Sequence, residues 1–430
     1  VSRLGFFTLS GAGHLNPATA LARSLEARGH EVIFFHSSIV KARVRAAGLA
    51  FHSLDAPFAE LVREEHRWRV TGGGFDTRQL IARTALNVLA RAREAVGAER
   101  VDALLVDQFD LAAGSVADLL KLPFVTVCFA PPVGFDNRVP PANVGWRYRT
   151  GPVARLGNRL ANALLARLAA PVLGMVNERR RVWGLAEHRR SSDVFSKLAI
   201  VAQIPRAFDF PQDLPPHFSY TGPFQDARTR RPAPFPWERL DGRPLVYASM
   251  GTVRNEAARA FRTMAEACSG LNVQLVLSLG GALSPEGIGP LPGDPIVVQY
   301  APQLELLDRA ALTITHAGLN TTLESLSRGV PLVAIPVTDD QPGVAARVQW
   351  TGCGTVVPFR RLSAGRLRAA VRAVIENPDY RAAARRLQSA IEEIDGLDRA
   401  THIIEQAVAH RPARFPSGEP VAPAILEEER

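Results

Sequence analysis

Leu312-Thr313-Ile314-Thr315-His316-Ala317-Gly318-Leu319-Asn320-Thr321-Thr322-Leu323-Glu324 is the stretch whose reading decides the fold. It reads as a buried strand feeding a glycine-containing turn that opens a helix. Such a turn offers unpaired backbone N–H groups at the positive end of the helix dipole, a ready seat for phosphate. Glu324 falls on the first turns of that helix, where a carboxylate can accept from both hydroxyls of a ribose. After Gly329-Val330-Pro331 and the strand that follows come Asp339-Asp340-Gln341-Pro342. Asp340 and Gln341 therefore project from the same carboxyl edge of the sheet.

Strand and helix signals recur on both sides of this unit. Residues 245–250, 274–279, 296–299 and 332–335 read as further strands of a second half, and 362–410 as a largely helical close. In the first half, residues 3–9, 31–35, 50–54, 103–106 and 124–128 read as strands. Helical periodicity separates them, with Asn16 placed as an N-cap, Pro17 as first helical residue and Gly29 as the stop. The rhythm predicts an α/β protein with parallel sheets covered on both faces. Residues 223–242, rich in proline, break the periodicity as a linker. The prediction is two facing Rossmann-like α/β/α domains with a cleft between them, 1–222 and 243–411, the last helices crossing back to the first domain, and a loose tail at 412–430. A length of 430 residues agrees with two cores.

The first half carries its own signal. His14 sits on the loop after the first strand, at the carboxyl edge where an open α/β sheet meets its ligands. An imidazole beside a carboxylate is a base suited to neutral pH, and Asp107, ending the strand 103–106 on that edge, can hold its tautomer. Asp110 is a nearby rival explained by helix capping. Gly11-Ala12-Gly13 mimics a dinucleotide fingerprint but lacks the third glycine and a closing acid on the second strand. That weakens the reading as a nicotinamide-dependent oxidoreductase.

The motif as a whole resembles the nucleotide-sugar signature of the family-one glycosyltransferases, the UDP-dependent superfamily with the GT-B fold. The resemblance runs from Arg3 to about His410. It implies that Tyr300, Ala301 and Gln303 lie by the uracil and ribose, and that His316, Gly318, Asn320 and Thr321 lie by the diphosphate. It places Glu324 on the ribose, Asp340 with Gln341 on the sugar, and Thr252, after the strand 245–250, on the phosphates. Tyr300 and Leu319 stand where the plant branch has tryptophans. His14 and Asp107 match the family's base and supporting acid. The expected reaction is an inverting, metal-independent transfer of a sugar, glucose by the Asp-Gln pair, from a UDP-sugar to a hydroxyl of an apolar acceptor, with no cofactor. The wording of the second-half motif looks like bacterial relatives grouped with zeaxanthin and macrolide glucosyltransferases. That implies a carotenoid-like or polyketide-like alcohol; the stretches 70–76 and 131–146, which follow sheet edges and are rich in glycine, proline and aromatics, are expected to line its pocket. A non-catalytic auxiliary partner of the same fold is the alternative, and a UDP-sugar epimerase a weaker one.

Composition narrows the setting. The net charge of +9 comes almost wholly from arginine, since Lys41, Lys121 and Lys197 are the only lysines. No recognition-helix or stacking pattern accompanies the arginines, so nucleic acid is not an expected partner. Cys128, Cys268 and Cys353 have no metal-ligand spacing and read as reduced thiols. No apolar run spans a bilayer and no leader precedes the first strand, so a cytoplasmic protein is expected. Leu156, Leu160, Leu164 and Leu168 form a stripe flanked by Arg155, Arg159 and Arg167. It reads as core packing with a solvated rim, with peripheral membrane contact as the alternative.

Overall fold

The computed structural model describes residues 1–56, 77–226, 228, 233–251, 257–281 and 283–409. Thr252, the loop 70–76 and the tail 412–430 lie outside them. Among the described residues, the first sheet runs in the order β3 (Ala50–Ser53), β2 (Glu31–His36), β1 (Arg3–Phe7), β4 (Ala103–Asp107), β5 (Phe124–Cys128), β6 (Ile200–Ala202) and β7 (Phe218–Tyr220). All its pairings are parallel. Its main helices are α1 (Ala12–Ala27), α2 (Thr77–Glu99), α3 (Ala113–Leu120) and α4 (Pro152–Val182). Alternation builds the two faces. Phe6 and Phe34 stack at 4.9 Å on one side, Phe7 and Phe35 at 5.3 Å on the other. All four are buried, each stabilising the sheet by about 1.5–3 kcal/mol.

The second sheet is also parallel, in the order β10 (Ile296–Val298), β9 (Gln274–Ser278), β8 (Leu245–Ser249), β11 (Ala310–Thr315), β12 (Leu332–Ala334) and β13 (Gly354–Val356). Around it lie α5 (Ala257–Cys268), α6 (Leu319–Leu326), α7 (Gln341–Thr351), α8 (Ala364–Glu376) and α9 (Pro378–Glu392). The last helix, α10 (Gly396–Ala409), leaves this sheet and packs on α1. There Ala400 and Ile404 join the first core, Ser24 Oγ meets Thr401 Oγ1 at 3.1 Å, and Arg28 donates to Glu405 at 2.8 Å.

One apolar cluster continues across both sheets. Cys128, Ile200 and Phe208 of the first pack with Leu319, Leu323 and Val344 of the second. Arg347 of α7 is buried in the same junction. Its Nε donates to Asp209 Oδ1 at 2.8 Å and its guanidinium lies 4.3 Å from the Phe210 ring.

Two expectations need correction. Helix α1 starts at Ala12 with Gly11 as N-cap, so Asn16 and Pro17 lie inside it and His14 sits in its first turn. Pro17 has no N–H to give the Gly13 carbonyl four residues back, which is the cost of a proline beyond the first turn. The leucine stripe of α4 does not enter the core. Leu156, Leu160, Leu164 and Leu168 are 46–64% exposed, while Asn158, on the inner face, is buried and donates to the Arg138 carbonyl at 2.6 Å. In this half of the helix the inward contacts are polar.

Candidate active site

Strand order reverses at two places, between β1 and β4 and between β8 and β11. At such a switch point the connections leave in opposite directions and open a crevice at the carboxyl edge. His14 follows β1 and Asp107 ends β4. His316 follows β11 and Gly251 follows β8. The two crevices face each other across the cleft.

In the first crevice the Asp107 carboxylate is fully buried and saturated with donors. Its Oδ2 accepts from Thr8 Oγ1 at 3.0 Å and Leu9 N at 3.3 Å, and Oδ1 accepts from Phe109 N at 3.0 Å. The same Oδ2 lies 2.7 Å from His14 Nδ1. An ionised carboxylate only accepts, so Nδ1 carries the proton and Nε2 keeps its lone pair. Phe109 and Phe129 meet the imidazole edge-on at 5.7 and 5.9 Å and hold the ring in place. Burial lowers the His14 pKa. The charge and hydrogen bond of Asp107, with Asp340 and Asp339, outweigh that and raise it above the ordinary imidazole value. Asp110 does what its position suggested, since Oδ1 caps α3 by accepting from Ala112 N and Ala113 N.

The second crevice is built on a left-handed residue. Ala317 has φ 65°, a conformation that costs a side chain energy and that turns the chain from strand to helix. Gly318 is then the N-cap of α6, and a Cβ on it would stand 2.5 Å from His316 Nε2. Gly251, at φ 66°, closes the other side, where a Cβ would lie 2.7 Å from His316 Cε1. The imidazole thus lies between two glycines. Burial pushes its pKa down to about 4, with a hydrogen bond to the Ser249 backbone in opposition. It is a neutral ring. The first helical bond of α6 is Thr322 N to Gly318 O at 3.0 Å, so the amides of Leu319, Asn320 and Thr321 precede the ladder.

The remaining expected residues divide. Gln303 and Glu324 are together, the Gln303 amide donating to the buried Glu324 carboxylate and Tyr247 Oη donating to Gln303 Oε1 at 2.9 Å. Tyr300 is exposed at the edge beyond β10, and Ala301 is half-buried beneath it. Asn320 spans the cleft. Its Nδ2 donates to Gly13 O at 3.0 Å and its Oδ1 accepts from Gln203 Nε2 at 3.0 Å. Asp340 is the N-cap residue of α7 but makes no capping hydrogen bond with its side chain. Burial raises its pKa to about 6, with His14 opposing. Gln341 turns its Oε1 back onto Val337 N and Thr338 N at 2.9 and 3.1 Å, leaving only its amide nitrogen for a ligand.

Sequence reading missed Gln203, Thr77 and the two phenylalanines. Thr77 Oγ1 donates to Asp339 Oδ1 at 2.5 Å from the opposite domain. None of these follows a motif, and no linear signal marks a partner chosen by domain packing. At the base of the cleft a small pocket is lined by Asn16, Pro17, Gln203, Phe224, Asn320 and Glu324. Among the described residues no three His, Cys, Asp or Glu side chains converge as a metal site.

The sequence profile of the UDP-glucoronosyl and UDP-glucosyl transferase family matches residues 81–417, and that of the glycosyltransferase family 28 N-terminal domain matches residues 7–103. The chain is 29% identical over 403 residues to zeaxanthin glucosyltransferase of Pantoea ananas, covering 92% of this chain and 93% of that protein. It is 30% identical over 397 residues to zeaxanthin glucosyltransferase of Pseudescherichia vulneris, covering 91% and 94%. In three dimensions it is similar to CalG4, the calicheamicin glycosyltransferase, with a TM-score of 0.74 at 23% identity over 95% of this chain and 98% of that one. With the family profile covering most of its length, the chain belongs to the UDP-glucoronosyl and UDP-glucosyl transferase family and is a GT-B glycosyltransferase.

Proposed function

We propose that the enzyme transfers glucose from UDP-glucose to a hydroxyl of an apolar small molecule, inverting the anomeric carbon and using no metal. The contact of His14 Nδ1 with Asp107 Oδ2 at 2.7 Å carries this reading, because it leaves Nε2 as the base. The acceptor O–H gives its proton to Nε2 as its oxygen attacks the anomeric carbon opposite the diphosphate. One bond forms and one breaks, so an α-linked donor gives a β-linked product. UDP leaves with the electron pair of the broken bond. The amides of Leu319, Asn320 and Thr321 and the neutral His316 stand as fixed dipoles for the charge it gains.

In this reading residues 1–222 hold the acceptor and 243–411 the donor. Glu324, steadied by Gln303, grips the ribose, Thr252 meets the phosphates, and Asp340 with the Gln341 amide reads the sugar. The names of the two zeaxanthin glucosyltransferases favour a carotenoid-like alcohol as acceptor. The test is UDP release over a panel of apolar alcohols, with and without chelator, together with the anomeric configuration of the product by NMR. Release that ceases with chelator, or an α-linked product, rejects the mechanism. Equal efficiency with the deoxythymidine donor removes Glu324 from ribose recognition.

A further inference from the structure

We propose that the first half of α4 is a docking surface for an anionic lipid membrane. Val153, Leu156, Leu160, Leu164 and Leu168 project into solvent there, 46–84% exposed. Stripes of this kind are normally spent on a core. The opposite face is occupied, since Asn158 and Asn162 donate to the carbonyls of Arg138 and Val139. Further on, Val172, Met175 and Val176 are buried in the first core. Contrary to the expectation that no apolar run spans a bilayer, the helix is long and apolar enough to cross one by length and composition. Its packed second half and inward asparagines rule out crossing without unfolding the domain. Such a helix lies in the interface plane.

Charge identifies the occupant. Between Asp136 and Glu178 there is no acidic residue, while Arg147, Arg149, Arg155, Arg159 and Arg167 all fall there. On the helix Arg167 lies among the leucines, Arg159 to one side of them and Arg155 further round, all three exposed. Trp146 is 47% exposed beside the helix at Gly157, where an aromatic ring suits the level of lipid headgroups. A second copy of the chain is a poor occupant, because a two-fold contact on this face sets arginines against arginines with no acid to answer them. Anionic headgroups answer them, and the leucines enter the acyl boundary.

The surface does not depend on which sugar or acceptor the enzyme uses, and its test reads lipid rather than turnover. The full chain is floated with phosphatidylglycerol-containing vesicles and with pure phosphatidylcholine vesicles, at low and high salt. The expected result is flotation with the anionic vesicles alone, released by salt. The triple variant R155Q/R159Q/R167Q is expected to bind roughly 100-fold more weakly. Leu160→Glu with Leu164→Glu is expected to bind at least about tenfold more weakly. Both variants change exposed residues, so melting temperature and UDP release with a water-soluble acceptor should match wild type. A chain that stays behind with anionic vesicles at low salt overturns the proposal, as does equal flotation with neutral ones. So does light scattering that shows a concentration-dependent dimer dissolved by Leu160→Glu, which would give the face to a second copy.

Discussion

As the proposed base, His14 works only as a neutral imidazole, so activity is expected to rise with pH as its proton leaves. Burial favours that neutral form, but Asp107, Asp340 and Asp339 together raise the pKa. The acid limb of kcat/KM should therefore lie above the ordinary imidazole value of about 6.5. Removing a negative neighbour makes the proton easier to lose. Asp340→Asn is expected to move that limb to lower pH, whatever it does to the rate. A limb that stays in place would mean another group titrates there. His14→Ala is expected to lower turnover by about 100-fold or more while donor affinity, read by calorimetry with UDP, is nearly kept. Turnover within a few-fold of wild type would remove His14 from the mechanism. The pairing of His14 with Asp107 was legible because two strand ends place both residues on one edge of the sheet. Their aromatic clamps, Phe109 and Phe129, were not, since any core phenylalanine reads the same.

Elements follow the same division. Buried apolar runs such as β4, β5 and β8 were plain in the sequence to within a residue or two. Strands β6, β7 and β13, each only three residues long, were missed. The start of α1 was misplaced because Asn16-Pro17 imitates a helix beginning. The α4 stripe shows a deeper limit, since period tells that a helix has two faces and not which one turns inward. Helix α7 has a close neighbour that no sequence signal marks. A methyl group at Gly343 would overlap the Ala142 carbonyl, so this helix rests directly on the segment after β5. Gly343→Ala should destabilise the protein by about 1–3 kcal/mol, seen as a lower melting temperature. An unchanged melting temperature would mean that the segment gives way freely.

At the scale of the molecule the two halves are joined by a core and by polar contacts chosen in three dimensions. Arg347 and Asp209 are the clearest, 138 residues apart in sequence and both buried. Removing one partner leaves a charge inside the junction without its counter-ion. Arg347→Ala is expected to cost about 3–5 kcal/mol in denaturant unfolding. A loss under about 1 kcal/mol would mean that water reaches Asp209. The chain also crosses between halves twice in close quarters. A Cβ on Gly396 would stand 2.5 Å from Pro223 O, so the outgoing and returning crossings touch and turn together.

Pro17 gives α1 one donor too few, and the missing bond is completed from 307 residues away by Asn320. The turn that carries His14 is thus a shared ladder, with its last rung borrowed from α6 of the other half. Were the halves to part, that rung would be lost and the turn that carries His14 would hold one hydrogen bond fewer. Pro17→Ala would let the helix supply its own rung. In the unliganded protein, Asn320→Ala should then cost less melting free energy than the roughly 0.5–1.5 kcal/mol expected beside Pro17. A double-mutant cycle that closes with no coupling would show that the borrowed rung carries nothing.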